Sequence, residues 1–223
     1  MKITKALTFS FDDGVESDRA LVRLLNRYGL KCSFNLNAGL FTDLGSWKHK
    51  DFTVRRMNPF DKGVYTGHEI CVHGYRHKPP TELNDEELKD EFSLDIQALE
   101  TLFGEKMVGA AYAYGLYNDK AVDCLKSLGI RFARTVNATY DFALQHDLMR
   151  FHPTCHVEDE RLFELAERFL ADGDGLFYVW GHSYELDGNQ SWDRFENFCK
   201  QVAGRGDVLY GTNTEVFRHF ALI

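Results

Sequence analysis

Short apolar runs alternate along this chain with longer stretches in which apolar positions recur every three or four residues. Ala6–Phe11 reads as a buried strand. Ser17–Tyr28 follows as an amphipathic helix with Leu21, Leu24, Leu25 and Tyr28 on one face, stopped by Gly29. Lys31–Asn37 is the next strand, and His68–Val72 is a short one that delivers His73 to its end. After the break at Pro79-Pro80, Asn84 and Glu87 have the spacing of a capping box. Leu88, Phe92, Ile96, Leu99 and Phe103 then repeat at helical spacing up to Gly104. Met107–Ala113, Ile130–Val136, Leu148–Thr154, Leu176–Trp180 and Val208–Tyr210 read as further strands. Helices are expected over Asn118–Leu128, Arg161–Leu170 and Ser191–Val202, with a last one from near Thr214. Phe41–Thr66 shows neither period and reads as a long, lid-like loop.

Repeated β–α units require a mostly parallel sheet covered by helices, an α/β fold. Seven or eight such units favour a closed or nearly closed barrel over an open doubly wound sheet. No glycine-rich phosphate loop follows the first strand, which counts against nucleotide binding. No linker-like stretch divides the chain, so one domain is expected over residues 1–223.

Composition narrows the partners. With 44% hydrophobic and 27% charged residues the chain has the make-up of a folded globular protein. A net charge of −8 argues against nucleic acid or an anionic membrane as partner, since both select a basic face. No apolar leader or bilayer-length run is present, so a cytoplasmic protein is expected. Five widely spaced cysteines without a C-x-x-C pair read as free thiols, which fits the same compartment.

The candidate chemistry lies where strands end. Asp12 and Asp13, His73 and His77, Tyr112 and Tyr114, Arg134, His152 and His156, and His182 all fall at or just beyond the C-terminal ends of predicted strands. In a β/α barrel those ends converge on one face. Taken singly, each has an ordinary structural explanation. An Asp-Asp-Gly is a common turn, a His pair four apart occurs on helix surfaces, and a histidine beside Trp180 usually just packs. Taken together, one carboxylate and two imidazoles make a ligand set for a divalent metal with open positions, and a second carboxylate beside it can take a proton. His182 is the candidate acid for a leaving amine, because its ordinary pKa lies near neutrality. The set describes metal-assisted hydrolysis.

These segments resemble the polysaccharide deacetylase family, also called the NodB-homology domain or carbohydrate esterase family 4. The resemblance rests on Ser10-Phe11-Asp12-Asp13-Gly14 for its T-F-D-D-G motif. It rests also on Gly67-His68-Glu69-Ile70 and His73-Gly74-Tyr75-Arg76-His77 for its G-H-E-I and H-[ST]-x-x-H pair, and on Phe177–His182 for the strand ending in histidine. It implies a distorted (β/α)7 barrel. It also implies Asp12 as general base, Asp13, His73 and His77 as ligands of a divalent metal (zinc first, with cobalt or nickel as alternatives), and His182 as acid. The family's R-x-P-Y-G falls on Ala111–Gly115, where Tyr114 and Gly115 keep the backbone oxyanion donor but Ala111 replaces the arginine that orients the base. The family's Asp-Trp motif has no counterpart. Arg134 is the candidate for the missing cation, and His152 or His156 for the missing polar partner. Tyr114 and Trp180 are candidate sugar-stacking rings.

The implied activity is removal of an N-acetyl group from an N-acetylated sugar or oligosaccharide by metal-activated water. The altered motifs leave two alternatives: hydrolysis of a non-sugar amide, cyclic imide or ureide, and a barrel that binds metal or saccharide without turnover.

Overall fold

The computed structural model describes residues 3–41 and 45–223; Thr42, Asp43 and Leu44, in the expected lid-like loop, lie outside them. In chain order the elements are β1 (Lys5–Asp12), α1 (Asp18–Arg27), β2 (Cys32–Leu36), β3 (Trp47–His49), β4 (Phe52–Val54), β5 (Glu69–Val72), α2 (Asp85–Phe103), β6 (Gly109–Ala111) and α3 (Asp119–Ser127). Then come β7 (Phe132–Arg134), β8 (Cys155–His156), α4 (Leu162–Asp172), β9 (Gly175–Gly181), α5 (Ser183–Gly188), α6 (Trp192–Val202), β10 (Val208–Tyr210) and α7 (Asn213–His219).

The main sheet is parallel throughout and runs β7-β6-β5-β2-β1-β9-β8. β1 is its axis. β9 pairs with it from Lys5 to Phe11, β2 takes the upper half of its other edge, and β10 takes the lower half. From Ala6 to Asp12 every residue of β1 is buried, so the polar Thr8, Ser10 and Asp12 that alternate with Leu7, Phe9 and Phe11 also lie inside. Phe9 packs edge-on against Phe195 and Phe198 of α6, at 5.8 and 6.1 Å between ring centroids. Helix α2 begins with the expected capping box and ends at Gly104 in the left-handed conformation, φ 73°.

The sheet curls into a distorted (β/α)7 barrel whose weakest seam lies between β7 and β8. The strand expected over Leu148–Thr154 does not form as one piece. A 3-10 turn covers Leu148–Arg150, and Phe151 alone bridges to β7, donating to Ala133 O and accepting from Thr135 N. Thr154 N then bonds Tyr178 O, ahead of β8. Pro153 sits between these contacts and has no N–H to offer a ladder, so pairing passes from one neighbour to the other across it.

Two local expectations change. Phe41–Thr66 contains an antiparallel hairpin, β3–β4, and a 3-10 segment over Pro59–Tyr65 capped by the Asn58 side chain. Helix α5, immediately after His182, is too short to show a hydrophobic period. All five cysteines are free thiols. No described helix is long and apolar enough to cross a membrane.

Candidate active site

The mouth of the barrel is built first at the end of β1. Asp13 and Gly14 both have positive φ, 84° and 64°, and this tight turn leaves both aspartates at the mouth. A Cβ on Gly14 would meet Leu36 at 2.9 Å, so glycine is needed for space as well as for φ. Asp12 Oδ1 accepts from Asn35 Nδ2 at 2.7 Å, and its Oδ2 forms an ion pair with Arg134 Nη2. Arg134 is itself fixed by Ser10 Oγ (3.2 Å), the Thr135 carbonyl (2.9 Å) and the face of Trp180 (4.5 Å). Burial alone would push the Asp12 carboxyl up. The Arg134 guanidinium, with His73 and His182, outweighs it and holds the group down at about 2.

Arg134 reaches this position from β7. Its Cα partner in the β6–β7 ladder is Ala111, the position at which an arginine was expected and is missing. The cation therefore stands one strand over, at the same level of the sheet.

The loop after β5 brings His73 and His77 beside Asp13. His73 Nδ1 donates to the Ala111 carbonyl at 2.9 Å, which leaves the Nε2 lone pair free. The two Nε2 atoms face each other 3.2 Å apart, and the ligating atoms of Asp13, His73 and His77 lie within 4.8 Å of one another. Burial pushes both imidazoles down, His77 to about 4 with His73 adding to the effect, so both are neutral. Two neutral imidazoles converging beside a carboxylate fit a divalent cation. At Zn–N distances of ~2.0–2.1 Å, tetrahedral ligands stand roughly 3.4 Å apart.

Helix α2 holds this loop by its backbone. Asp95 accepts from Ala38 N (2.7 Å) and His73 N (3.0 Å), and Glu91 Oε1 accepts from Arg76 N (2.6 Å) and Lys78 N (3.2 Å). Asn37 donates to the His73 and Gly74 carbonyls at 2.9 and 2.7 Å. Arg56, at the far side of the hairpin, bonds the Asp13 carbonyl, Asp13 Oδ1 (3.1 Å) and Asn37 Oδ1 (3.0 Å).

His182, at the end of β9, caps α5, and the Glu185 side chain accepts from its backbone N–H at 3.0 Å. His182 Nδ1 lies 3.2 Å from Glu185 Oε2 off the line of an aligned hydrogen bond, so the contact is an ion pair. Its Nε2 faces Asp12 Oδ2 and Asp13 Oδ2, each at 3.9 Å. Burial pushes this imidazole down, but Glu185, Asp13 and Asp12 outweigh it and raise the group to about 9. His182 therefore carries a proton at neutral pH.

His156 Nε2 lies 3.0 Å from the same Glu185 oxygen. His156, His182 and Glu185 also cluster closely enough for a metal, but the Glu158 N–H donates to His156 Nδ1, so the ring proton sits on Nε2 and points at Glu185. The Glu185 carboxylate thus faces a ring N–H rather than completing a set of lone pairs.

A cavity of about 420 Å³ opens over these groups, lined by both aspartates, both metal-motif histidines and His182, with Tyr112, Tyr114, Gly115, Val136, Trp180 and Tyr184 as its other walls. Tyr114, 60% exposed and at φ 59°, stands at the rim with its ring 4.5 Å from His77. His152 does not line the cavity; its Nδ1 meets Thr135 Oγ1 at 2.5 Å. A larger cavity of about 580 Å³, near Ile3, Gly175 and His219, lies at the opposite end of the strands, away from all of this chemistry.

The sequence profile of the polysaccharide deacetylase family matches residues 2–133. The chain belongs to this family. Among solved structures, the family 4 carbohydrate esterase from Streptomyces lividans aligns at TM-score 0.64 and 16% identity, over 94% of this chain and 93% of that one. The peptidoglycan deacetylase PdaC from Bacillus subtilis gives 0.63 and 16%, over 99% and 94%. A CE4 family pseudoenzyme from Bacillus anthracis gives 0.57 and 13%, over 97% and 66%. No curated protein sequence matches the chain. The fold is thus shared by deacetylases and by a relative described as a pseudoenzyme, so activity must be argued from the site.

Within the family pattern, this deacetylase-like barrel carries site residues that its motifs do not announce. Glu185, rather than His152 or His156, is the polar partner of His182, and its signal was the capping-box spacing His182-x-x-Glu185. Asn35, like Ser33 two residues before it, is a buried polar residue in the strand Cys32-Ser33-Phe34-Asn35-Leu36, as a residue facing a polar interior is. Glu91 and Asp95 share one face of α2 by their i, i+4 spacing. Nothing local in the sequence pointed to Arg56 or Tyr184.

Proposed function

We propose that the chain is a metal-dependent hydrolase that removes the N-acetyl group from an N-acetylated sugar or oligosaccharide. The observation that carries this reading is the convergence, in one cavity, of the neutral pair His73–His77 with Asp13, flanked by ionised Asp12 and protonated His182. A pure binding site needs neither a base nor an acid.

Asp13, His73 and His77 would hold a divalent ion, with zinc the first choice and cobalt or nickel as substitutes; bound there, it supplies Lewis-acid polarisation of the carbonyl and acidification of water. Asp12, kept ionised and oriented by Arg134 and Asn35, takes the proton as water attacks the amide carbon. The turn at Tyr114-Gly115 is placed at the cavity wall, where a backbone N–H can meet the developing oxyanion. His182 Nε2, charged through Glu185, gives its proton to the departing nitrogen and returns the product amine. Trp180, Tyr112 and Val136 give the cavity its apolar wall and limit water there. The free thiols agree with a cytoplasmic setting, which we include in the proposal.

The test is acetate release from N-acetylglucosamine derivatives and chito-oligosaccharides by chelated protein reloaded with zinc, cobalt or nickel. Release that requires metal and is lost in Asp12→Asn supports the reading. Tight metal binding without acetate from any substrate removes it, and ring-opened acid from a cyclic imide would put the non-sugar amide in its place.

A further inference from the structure

A second chamber of about 400 Å³ adjoins the first and shares Asp13, His77, Tyr114 and Tyr184 with it as a common neck. Among the described residues its remaining walls are Leu40, Trp47, Arg56 and Arg76. Resting on the function proposed above, the reacting bond belongs in the first chamber, because Asp12 and His182 line only that one. The second chamber can hold only a part of the substrate that does not react.

Its two cations differ. Arg56 is buried, stacked 4.7 Å over Trp47, and already neutralised by Asp13. Arg76 is 47% exposed, and its Nη1 stands 3.5 Å from Glu91 Oε2, beyond good hydrogen-bond length. The other Glu91 oxygen is occupied by the backbone N–H groups of Arg76 and Lys78. The Arg76 fork thus keeps donors for a ligand, in a chamber whose only carboxylate among the described residues, Asp13, is paired with Arg56 and faces the metal ligands. Trp47 and Tyr184, ring centroids 5.2 Å apart, supply aromatic faces beside it.

We propose that this chamber binds an anionic substituent, phosphate or carboxylate, on the non-reacting part of the substrate, with Arg76 as the recognising residue. A guanidinium offers two parallel N–H groups to either oxyanion, and the aromatic walls accept the ring that carries it. The substrate class is then an acidic N-acylated sugar rather than a neutral one.

Binding is measured by calorimetry on the metal-loaded protein for glucosamine, glucosamine 6-phosphate and muramic acid. In parallel, acetate release is compared among N-acetylglucosamine, its 6-phosphate and N-acetylmuramic acid. The wild type is expected to favour an anionic ligand roughly tenfold, the worth of one charge-assisted hydrogen bond. Arg76→Gln is expected to bring that ratio to near unity and Arg76→Lys to keep part of it. The phosphate and carboxylate arms show which oxyanion fits.

Equal affinity of the wild type for neutral and anionic ligands overturns the proposal. An anionic preference that survives Arg76→Gln assigns it to the metal instead, and an equal loss for neutral and anionic ligands leaves Arg76 a structural partner of Glu91. Because the calorimetric ratio needs no turnover, absence of acetate with an intact ratio counts against the proposed reaction and not against this chamber.

Discussion

Replacing Arg134 tests the central electrostatic feature of the site. Asp12 and Arg134 are both buried, and removing one partner of such a pair leaves the other charge uncompensated, at a cost of roughly 3–5 kcal/mol. In the intact, metal-free protein the Asp12 carboxyl lies at about 2 instead of 3.8. At ~1.4 kcal/mol per pH unit this contributes about 2 kcal/mol of stability, fully present above pH ~4 and lost as the pH falls through about 2. In Arg134→Met the sign reverses. Burial, the largest influence on Asp12, is then far less opposed, the carboxyl rises above its ordinary value, and stability improves as acid protonates it. Urea unfolding of metal-free protein between pH 3 and 7 reads this directly, with the variant several kcal/mol less stable at pH 7 and closer to the wild type at pH 4. The double variant Asp12→Asn/Arg134→Met is expected to recover most of the loss, since no buried charge remains unpaired. Hydrolysis by the single variant, measured where it is still folded, should fall roughly a hundredfold as the proposed base loses its orientation. Wild-type stability at pH 7, together with unchanged acetate release, would refute the reasoning.

Glu185→Gln should move the alkaline limb of the rate profile down. His182 is held at about 9, so its acid form is present below that pH and lost above it, and without the Glu185 charge the loss begins nearer neutrality. Chelation should lower the melting temperature and zinc should restore it, by about 2.7 kcal/mol at a hundredfold excess over the dissociation constant; His73→Ala should abolish the response in a thermal scan. Asp95→Ala frees the backbone N–H of Ala38 and leaves that of His73 with the Leu36 carbonyl alone, and metal affinity by competitive titration should drop roughly 10–100-fold while the ligands themselves are untouched.

What the sequence made legible was local and periodic. The run Ala6–Phe11 announced the axis strand, and Asn84 with Glu87 announced α2, because caps and hydrophobic periods act over a few residues. Asp12, Asp13, His73 and His182 were visible because each closes a strand, and His77 by its spacing from His73; strand ends share one face of a barrel. Long-range partners were not visible. Arg56 reaches Asp13 only because a hairpin folds back over the mouth, and the seam at Phe151 depends on which neighbour a proline-interrupted segment finds.

The instructive case is Ala111. On the motif alone, its lack of a side chain reads as a lost arginine and a disabled base. In the sheet, Ala111 and Arg134 are register partners, so the side chain missing on β6 is supplied at the same height from β7. The small residue is part of the substitution, because a long side chain at Ala111, which is 1% exposed, would compete for the interior space that the Arg134 guanidinium occupies. Restoring the motif by Ala111→Arg alone should therefore destabilise the protein, by crowding two guanidinium groups around one carboxylate. Joined with Arg134→Ala it should be tolerated. A single exchange that raised both stability and hydrolysis would mean that Arg134 is not the counterpart of the missing arginine.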